Sequence, residues 1–215
     1  MKVKICGLTR PEDAILAQDA GASYIGAVLV SDSPRVVSPE RARELSSAVT
    51  IPLVIVTGDL DPEVVAEAAE TAGAAVIQVH GEASPQDLAE LRARGSWELW
   101  KAVRVRTRAD VIAGLAWFGE VADLLLLDGW HPSALGGSGT PFPWEEAMAL
   151  DAEVRSGLRI GAAGGLSPEN VAEVVRRLAP DLVDVSSGVE ASPGIKDPGK
   201  VRDFVRRARE ATRSI

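Results

Sequence analysis

Two side chains that can exchange protons follow short apolar segments of the chain. Cys6 lies near the end of Val3–Gly7, with the cations Lys4 and Arg10 nearby, and Asp128 comes directly after four leucines. A thiolate can remove a proton and a carboxyl group can supply one, so this pair suits general acid–base catalysis. Each residue also has an ordinary structural interpretation: Cys6 as a small buried side chain, Asp128 as a helix cap or ion-pair partner.

Small residues nearer the carboxyl end of the chain predict a site for a phosphate group. Gly164 and Gly165 follow one apolar segment, and Ser186, Ser187 and Gly188 follow the next. Glycines leave room for an oxyanion, while backbone amides, serine hydroxyls and helix N-termini supply hydrogen-bond donors. Tight turns and helix caps are the alternative interpretation, but two such clusters on neighbouring segments favour phosphate.

Two further side chains are candidates for contact with a substrate. Arg35 lies in a short loop beside a proline, where it either holds a carboxylate with two hydrogen bonds or is a solvated surface charge. His80 follows another apolar segment and either contacts substrate or is a structural histidine. No histidine or cysteine pair has metal-ligand spacing, so we expect no metal site. Glycines within His131–Trp144 predict a mobile lid.

The elements that must position these residues alternate regularly along the chain. Eight short apolar segments are separated by helical stretches, whose starts carry a capping residue followed by proline, as in Ser38-Pro39 and Asp61-Pro62. This alternation is typical of an α/β fold with a parallel sheet. Eight units favour a single (β/α)8 TIM barrel over residues 1–215, and an open sheet of five or six strands is the alternative. In a barrel, the carboxyl ends of the strands meet at one rim and bring the candidate residues together.

The composition limits the classes of partner. The chain has 215 residues, a net charge of −8 and one cysteine. These values describe a globular protein without an internal disulfide, and the acidic balance disfavours nucleic acid and anionic membranes as partners. Neither a signal peptide nor an apolar run of membrane-spanning length is recognisable, so we expect a cytoplasmic protein. From the residues alone we infer an enzyme acting on a sugar phosphate, with its reaction undetermined.

Six segments spread over nearly the whole chain resemble the motifs of a known family, in the family order. They are KICGLTRPEDA (Lys4–Ala14), SPRVVSPE (Ser33–Glu40), VHGE (Val79–Glu82), LLLD with GGSGTPFPW (Leu125–Trp144), AGGLSPENV (Ala163–Val171) and DVSSGVEASPGIKD (Asp184–Asp197). With these segments the chain resembles the phosphoribosylanthranilate isomerases of tryptophan biosynthesis.

The resemblance implies a reaction without cofactor or metal. N-(5'-phosphoribosyl)anthranilate would become 1-(o-carboxyphenylamino)-1-deoxyribulose 5-phosphate by an Amadori rearrangement, the third step from chorismate. Asp128 would protonate the ribose ring oxygen, Cys6 would remove the C2' proton, and Arg35 would hold the anthranilate carboxylate. A thiol needs only a modestly lowered pKa to serve as this base near neutrality.

The same resemblance assigns the other site residues and the partners. His80 and Asp184 would lie in the pocket, and the phosphate would be held by Gly164, Gly165, Ser186, Ser187 and Gly188. The partner would be a small phosphosugar, and the protein would be a monomer or a homodimer.

Two other hypotheses compete with this one. A related barrel enzyme could act on another aminated phosphosugar, such as the aminoaldose of histidine biosynthesis, but the resembling enzymes of that pathway use paired aspartates as acid and base. The combination of Cys6 with Arg35 argues against it. A binding barrel that keeps the phosphate site without turnover is the third hypothesis, and the intact pair of Cys6 and Asp128 argues against it.

Overall fold

The fold was derived from a computed structural model that describes residues 1–29, 33–58, 61–129 and 157–212. The predicted lid, His131–Trp144, lies outside these described residues. Within them, no helix has both the length and the apolar character needed to cross a membrane.

Eight parallel strands close into a barrel in the part of the chain that the structure describes, and the last strand pairs with the first. The strands are β1 (Lys2–Ile5), β2 (Tyr24–Val28), β3 (Leu53–Thr57), β4 (Val76–Val79), β5 (Glu98–Val105), β6 (Leu124–Gly129), β7 (Arg159–Ala162) and β8 (Leu182–Val185). The predicted TIM barrel is therefore confirmed, and the open sheet is excluded.

Helices follow the strands on the outside of the barrel. Those described are α1 (Pro11–Asp19), α2 (Pro39–Ser47), α3 (Pro62–Ala72), α4 (Pro85–Arg94), α5 (Arg108–Phe118), α6 (Val171–Leu178) and α7 (Pro198–Thr212). The predicted helix caps are present at α2 and α3. The side chain of Ser38 accepts a hydrogen bond from the Arg41 amide, and that of Asp61 accepts one from the Glu63 amide. Proline occupies the first turn of both helices, which fixes where each helix begins.

A short hairpin interrupts the strand–helix alternation after β8. A 3-10 turn at Ser187–Val189 leads into β9 (Glu190–Ser192), which pairs antiparallel with β10 (Ile195–Lys196) before α7 begins. Contacts with the start of the chain hold the hairpin: the hydroxyl of Thr9 donates to the Gly194 carbonyl at 2.7 Å. The hairpin that follows β8 is thus hydrogen-bonded to the loop that follows β1.

The barrel interior changes from apolar to polar along the strands. An apolar cluster fills one part, and its members include Val54, Val76, Trp100, Leu124 and Leu182. Side chains two residues apart on a strand share a face, so Gln78 and Asp184 lie one step further along β4 and β8. Asp184 is in register with Lys4 of β1, and all three polar side chains are buried. The next step along the same strands reaches the carboxyl rim.

Candidate active site

Every predicted site residue except Gly188 lines one cavity at the carboxyl rim of the barrel. The cavity encloses about 850 Å³, including space open to solvent. Its lining includes Cys6, Arg35, His80, Asp128, Gly164, Gly165, Asp184, Ser186 and Ser187. Parallel strands of a barrel deliver their ends to one rim, which is why residues far apart in the sequence meet here.

Asp128 lies at the end of β6, where its buried carboxyl group can carry a proton at neutral pH. The pKa of Asp128 is raised to about 7: burial contributes most, the nearby charge of Asp184 acts in the same direction, and Arg104 and Lys4 oppose both effects. Gly164 permits the close approach of the next loop, because a Cβ at this position (φ +81°) would lie 2.7 Å from Oδ1 of Asp128. The carboxyl group is suited to act as a general acid.

Cys6 directly follows β1, and its sulfur accepts a hydrogen bond from the Lys4 ammonium group at 3.1 Å. Burial raises the pKa of the Cys6 thiol, the positive charge of Lys4 lowers it, and the negative charge of Asp184 raises it. In this structure the pKa of the thiol is therefore raised rather than modestly lowered. The physical reason is that removal of the thiol from water outweighs the attraction of the neighbouring cation.

A chain of hydrogen bonds joins Lys4 to His80 through Gln78. The Lys4 ammonium group donates to Oε1 of Gln78 at 2.8 Å, and Nε2 of Gln78 lies 2.6 Å from Nε2 of His80. Because the amide oxygen accepts from lysine, the amide nitrogen donates to the imidazole, which leaves the ring proton on Nδ1. Burial lowers the pKa of His80 to about 3, with help from Lys4 and Lys101, so the ring is neutral.

Arg35 is held at the cavity by the carboxylate of Glu190, which was not among the residues predicted for the site. Its Nε and Nη2 donate to the two carboxylate oxygens of Glu190 in β9, both at 2.7 Å. Glu190 also accepts from the Lys196 ammonium group at 2.9 Å. Burial opposes ionisation of Glu190, but the Arg35 hydrogen bonds and the Lys196 charge outweigh it and hold the pKa of Glu190 below its usual range. With a side chain that is 11% exposed, Arg35 is not a solvated surface charge.

Four of the five residues predicted to bind phosphate line the cavity, and Gly188 does not. Gly164 and Gly165 both have positive φ, +81° and +68°, so two successive left-handed residues turn the loop after β7. The Gly165 carbonyl accepts from the Asn170 side chain at 2.8 Å, which fixes this loop against the start of α6. Gly188 instead packs against the same loop: a Cβ there would lie 1.9 Å from the Leu166 carbonyl oxygen. Gly188 does not line the cavity, and its contact with phosphate stays a prediction.

No group of three histidine, cysteine, aspartate or glutamate side chains is placed to hold a metal ion among the residues that the structure describes. The side chains that converge on the cavity are proton carriers, hydrogen-bond donors and one bidentate arginine. Such a set can bind an anionic substrate at both ends and move protons between them.

Comparison with known proteins agrees with this geometry. Residues 3–207 match the family model described as N-(5'phosphoribosyl)anthranilate (PRA) isomerase. The N-(5'-phosphoribosyl)anthranilate isomerase of Trichlorobacter lovleyi is 43% identical over 216 residues, which cover 98% of this chain and 99% of the relative.

Solved structures are similar over the same length. The phosphoribosyl anthranilate isomerase from Thermus thermophilus has a TM-score of 0.86 at 37% identity, covering 98% of this chain and 99% of its own. A phosphoribosyl anthranilate isomerase in complex with reduced 1-(o-carboxyphenylamino)-1-deoxyribulose 5-phosphate has a TM-score of 0.84 at 31% identity, with the same coverage. This chain therefore belongs to the N-(5'-phosphoribosyl)anthranilate isomerase family.

Proposed function

We propose that this barrel converts N-(5'-phosphoribosyl)anthranilate into 1-(o-carboxyphenylamino)-1-deoxyribulose 5-phosphate in tryptophan biosynthesis, with Asp128 as general acid and Cys6 as general base. The observation that carries the assignment of roles is the shared cavity of a buried carboxyl group with a pKa of about 7 and the single thiol of the chain. Membership of the isomerase family gives the reaction class.

The proposed chemistry begins with proton donation by Asp128. Its carboxyl proton passes to the ribose ring oxygen, the bond from C1' to that oxygen breaks, and the nitrogen lone pair forms a protonated Schiff base. The Cys6 thiolate then takes the C2' proton. The electrons of that C–H bond form the C1'–C2' double bond while the C=N electrons return to nitrogen. The resulting enolamine tautomerises to the ketone. The reaction therefore exchanges protons and needs no oxidant or reductant.

The two anionic ends of the substrate are assigned to different residues of the cavity lining. Arg35 binds the anthranilate carboxylate, and the loops containing Gly164 and Gly165 and Ser186 and Ser187 bind the phosphate. His80 and Asp184 line the same cavity. The neutral imidazole and the buried carboxylate belong to the hydrogen-bonded group around Lys4, which keeps their positions fixed.

Replacement of Arg35 by alanine is expected to weaken substrate binding more than turnover. Loss of a charge-assisted contact of this kind corresponds to a KM increase of roughly 10- to 100-fold with a smaller change in kcat. Steady-state kinetics measure this split. Arg206→Ala is the control, since Arg206 is an exposed residue of α7 paired with Asp203 and Glu210. Unchanged KM and kcat in the Arg35 variant would contradict the carboxylate contact.

The protonation states of the acid and base predict the pH dependence of kcat/KM. The productive form has Asp128 protonated and Cys6 ionised, although the pKa of the carboxyl is about 7 and burial raises that of the thiol. Below pH 7 the fraction of enzyme in this form rises about tenfold per pH unit, because the thiol ionises. Between the pKa of the carboxyl and the pKa of the thiol this fraction stays constant. Above the thiol pKa it falls.

Initial rates from about pH 5.5 to 9.5 measure this profile. We expect an ascending limb that levels off near pH 7. A profile that is flat below pH 7 and falls with unit slope above it would contradict the assignment, because that shape requires a thiol already ionised at low pH.

The proposed activity is tested by rescue of a tryptophan auxotroph that lacks this isomerase, together with a direct assay that follows loss of substrate fluorescence. Soluble, folded protein that neither rescues growth nor turns over the substrate would overturn the proposal. We further propose that the chain acts in the cytoplasm as one barrel domain over residues 1–215, as a monomer or homodimer, which light scattering of the purified protein distinguishes.

A further inference from the structure

Lys4 is a fully buried cation to which the proposed reaction assigns no role. Its side chain is 0% exposed, in the barrel interior between the apolar cluster and the carboxyl rim. Burial of an ammonium group is unfavourable unless charged and polar partners replace its water. A barrel interior filled by apolar side chains would avoid this cost, so the partners of Lys4 indicate what it does.

Three partners surround the Lys4 ammonium group and match its three N–H donors. Nζ lies 2.9 Å from Oδ2 of Asp184, 2.8 Å from Oε1 of Gln78 and 3.1 Å from Sγ of Cys6. The carboxylate and the amide come from strands β8 and β4 on either side of the barrel interior. They fix the ammonium group so that its remaining N–H is directed at the sulfur.

The barrel wall also leaves space for this lysine–cysteine pair. Gly26 of β2 faces both side chains, and a Cβ at this position would lie 2.8 Å from Cε of Lys4 and 2.9 Å from Sγ of Cys6. Any larger residue at position 26 would displace one member of the pair. The contact between ammonium and sulfur is therefore supported from three strands as well as from β1 itself.

We propose that Lys4 is the positioning residue of the base: its ammonium group holds the Cys6 sulfur and balances the negative charge of the thiolate. This inference rests on the proposed role of Cys6 in the isomerisation. The thiol proton leaves to solvent before the reaction, and the sulfur then takes the C2' proton of the Schiff base. An S–H bond forms, the C2'–H bond breaks, its electron pair moves toward nitrogen, and Lys4 stays an ammonium throughout.

Charged groups from several elements act on the sulfur besides Lys4. They are Lys196 of β10, Arg35 of the loop after β2, Asp184 of β8 and, through its pairing with both Arg35 and Lys196, Glu190 of β9. Glu190 neutralises much of the charge of its two partners. Lys4 is the cation that contacts the sulfur directly, and Asp184 acts on the same sulfur with the opposite sign.

Alkylation of Cys6 by iodoacetamide tests this arrangement without any substrate. The chain has one cysteine, so intact-protein mass reports this thiol alone. Only the thiolate reacts, and one unit of thiol pKa changes the rate about tenfold below the pKa. We expect Lys4→Met to be alkylated at least about tenfold more slowly at pH 8 than the wild-type protein. We expect Asp184→Asn, which keeps an oxygen for the lysine, to be alkylated several-fold faster.

Lys101→Met is the matched control. Lys101 is also a buried lysine of the barrel, but its ammonium group donates to the Gly81 carbonyl at 2.7 Å. Its removal should leave the alkylation rate within about twofold of wild type.

Opposite shifts in the Lys4 and Asp184 variants support the proposal. Loosened packing would expose the thiol and accelerate alkylation in both variants, so shifts in the same direction overturn it, as does an unchanged rate in Lys4→Met. If Lys4→Met does not fold, Lys4→Gln, which removes the charge but keeps a hydrogen-bond donor, takes its place: slower alkylation supports the proposal, and an equal or faster rate overturns it. Absence of wild-type turnover would refute the proposed function separately, since alkylation is measured on the ligand-free protein.

Discussion

Replacement of Asp128 by asparagine should lower kcat by at least about 10²-fold, because the amide has no acidic proton to give to the ribose ring oxygen. The two side chains have nearly the same shape, so the cavity and the close approach of Gly164 are preserved. Turnover is measured by the loss of substrate fluorescence. A variant with near-normal kcat would show that another group protonates the ring oxygen.

The same substitution should raise stability at neutral and alkaline pH. The pKa of this carboxyl is about 7 in the folded protein and about 3.9 in an unfolded chain. Its contribution to stability is therefore intact below pH 4 and is lost as the pH rises through 7, by an amount on the order of a few kcal/mol. An asparagine does not ionise, so the advantage of Asp128→Asn over wild type should grow between pH 4 and pH 8.

Thermal unfolding at these two pH values measures this gain. Asp19→Asn, which removes an exposed carboxylate of α1, serves as the control and should show no comparable pH-dependent gain. An equal difference in Tm between Asp128→Asn and wild type at both pH values would contradict a raised carboxyl pKa. Lower activity combined with higher stability is the expected result for a catalytic group held in an unfavourable environment.

Replacement of Cys6 by serine should also lower kcat by at least about 10²-fold. A hydroxyl of similar size keeps the hydrogen bond from Lys4 but does not ionise at any pH where the protein is folded. KM should change little, because the thiol makes no charged contact with either anionic end of the substrate. The kinetic comparison of kcat with KM checks this, and near-normal turnover of the serine variant would refute Cys6 as the base.

Cys6→Ala separates packing from chemistry. If the serine variant lost activity through an unfavourable polar contact alone, the alanine variant would recover part of it. Equal loss in both variants is the result expected for removal of a base. Circular dichroism and unfolding midpoints should stay close to wild type in both, since the two substitutions leave the strand register of β1 intact.

The architecture was largely predictable from local signals in the sequence. Apolar segments bounded by turn residues marked the eight strands, and capping residues before prolines marked helix starts such as Pro39. The hairpin of β9 and β10 was not predicted, because its strands are very short and carry no alternating pattern. It is stabilised by contacts distant in sequence, including the bond from the Lys196 amide to Asp13.

The candidate site was predictable in its residue types but not in its connections. Lys4 and Arg10 were equally close to Cys6 in sequence, yet only Lys4 contacts the sulfur, while Arg10 pairs with Asp13. Alternation along β1 decides this outcome, since the residue two positions before Cys6 shares its face of the strand. Glu190 lay within a recognised motif, but its pairing with Arg35 depends on the tertiary fold. The direction of the thiol pKa shift also depends on burial, which local sequence does not report.

The pairing of the first strand with the last has a consequence for how the protein is made. Lys4 and its carboxylate partner Asp184 are 180 residues apart, so Asp184 leaves the ribosome long after Lys4. Until β8 emerges, the lysine has no carboxylate beside it and must stay hydrated, because burial without a partner is unfavourable. In a nascent chain that stops before β8, the edge of β1 that pairs with β8 would therefore stay exposed to water. Closure of the barrel therefore waits for the synthesis of β8, the strand that brings the carboxylate to Lys4.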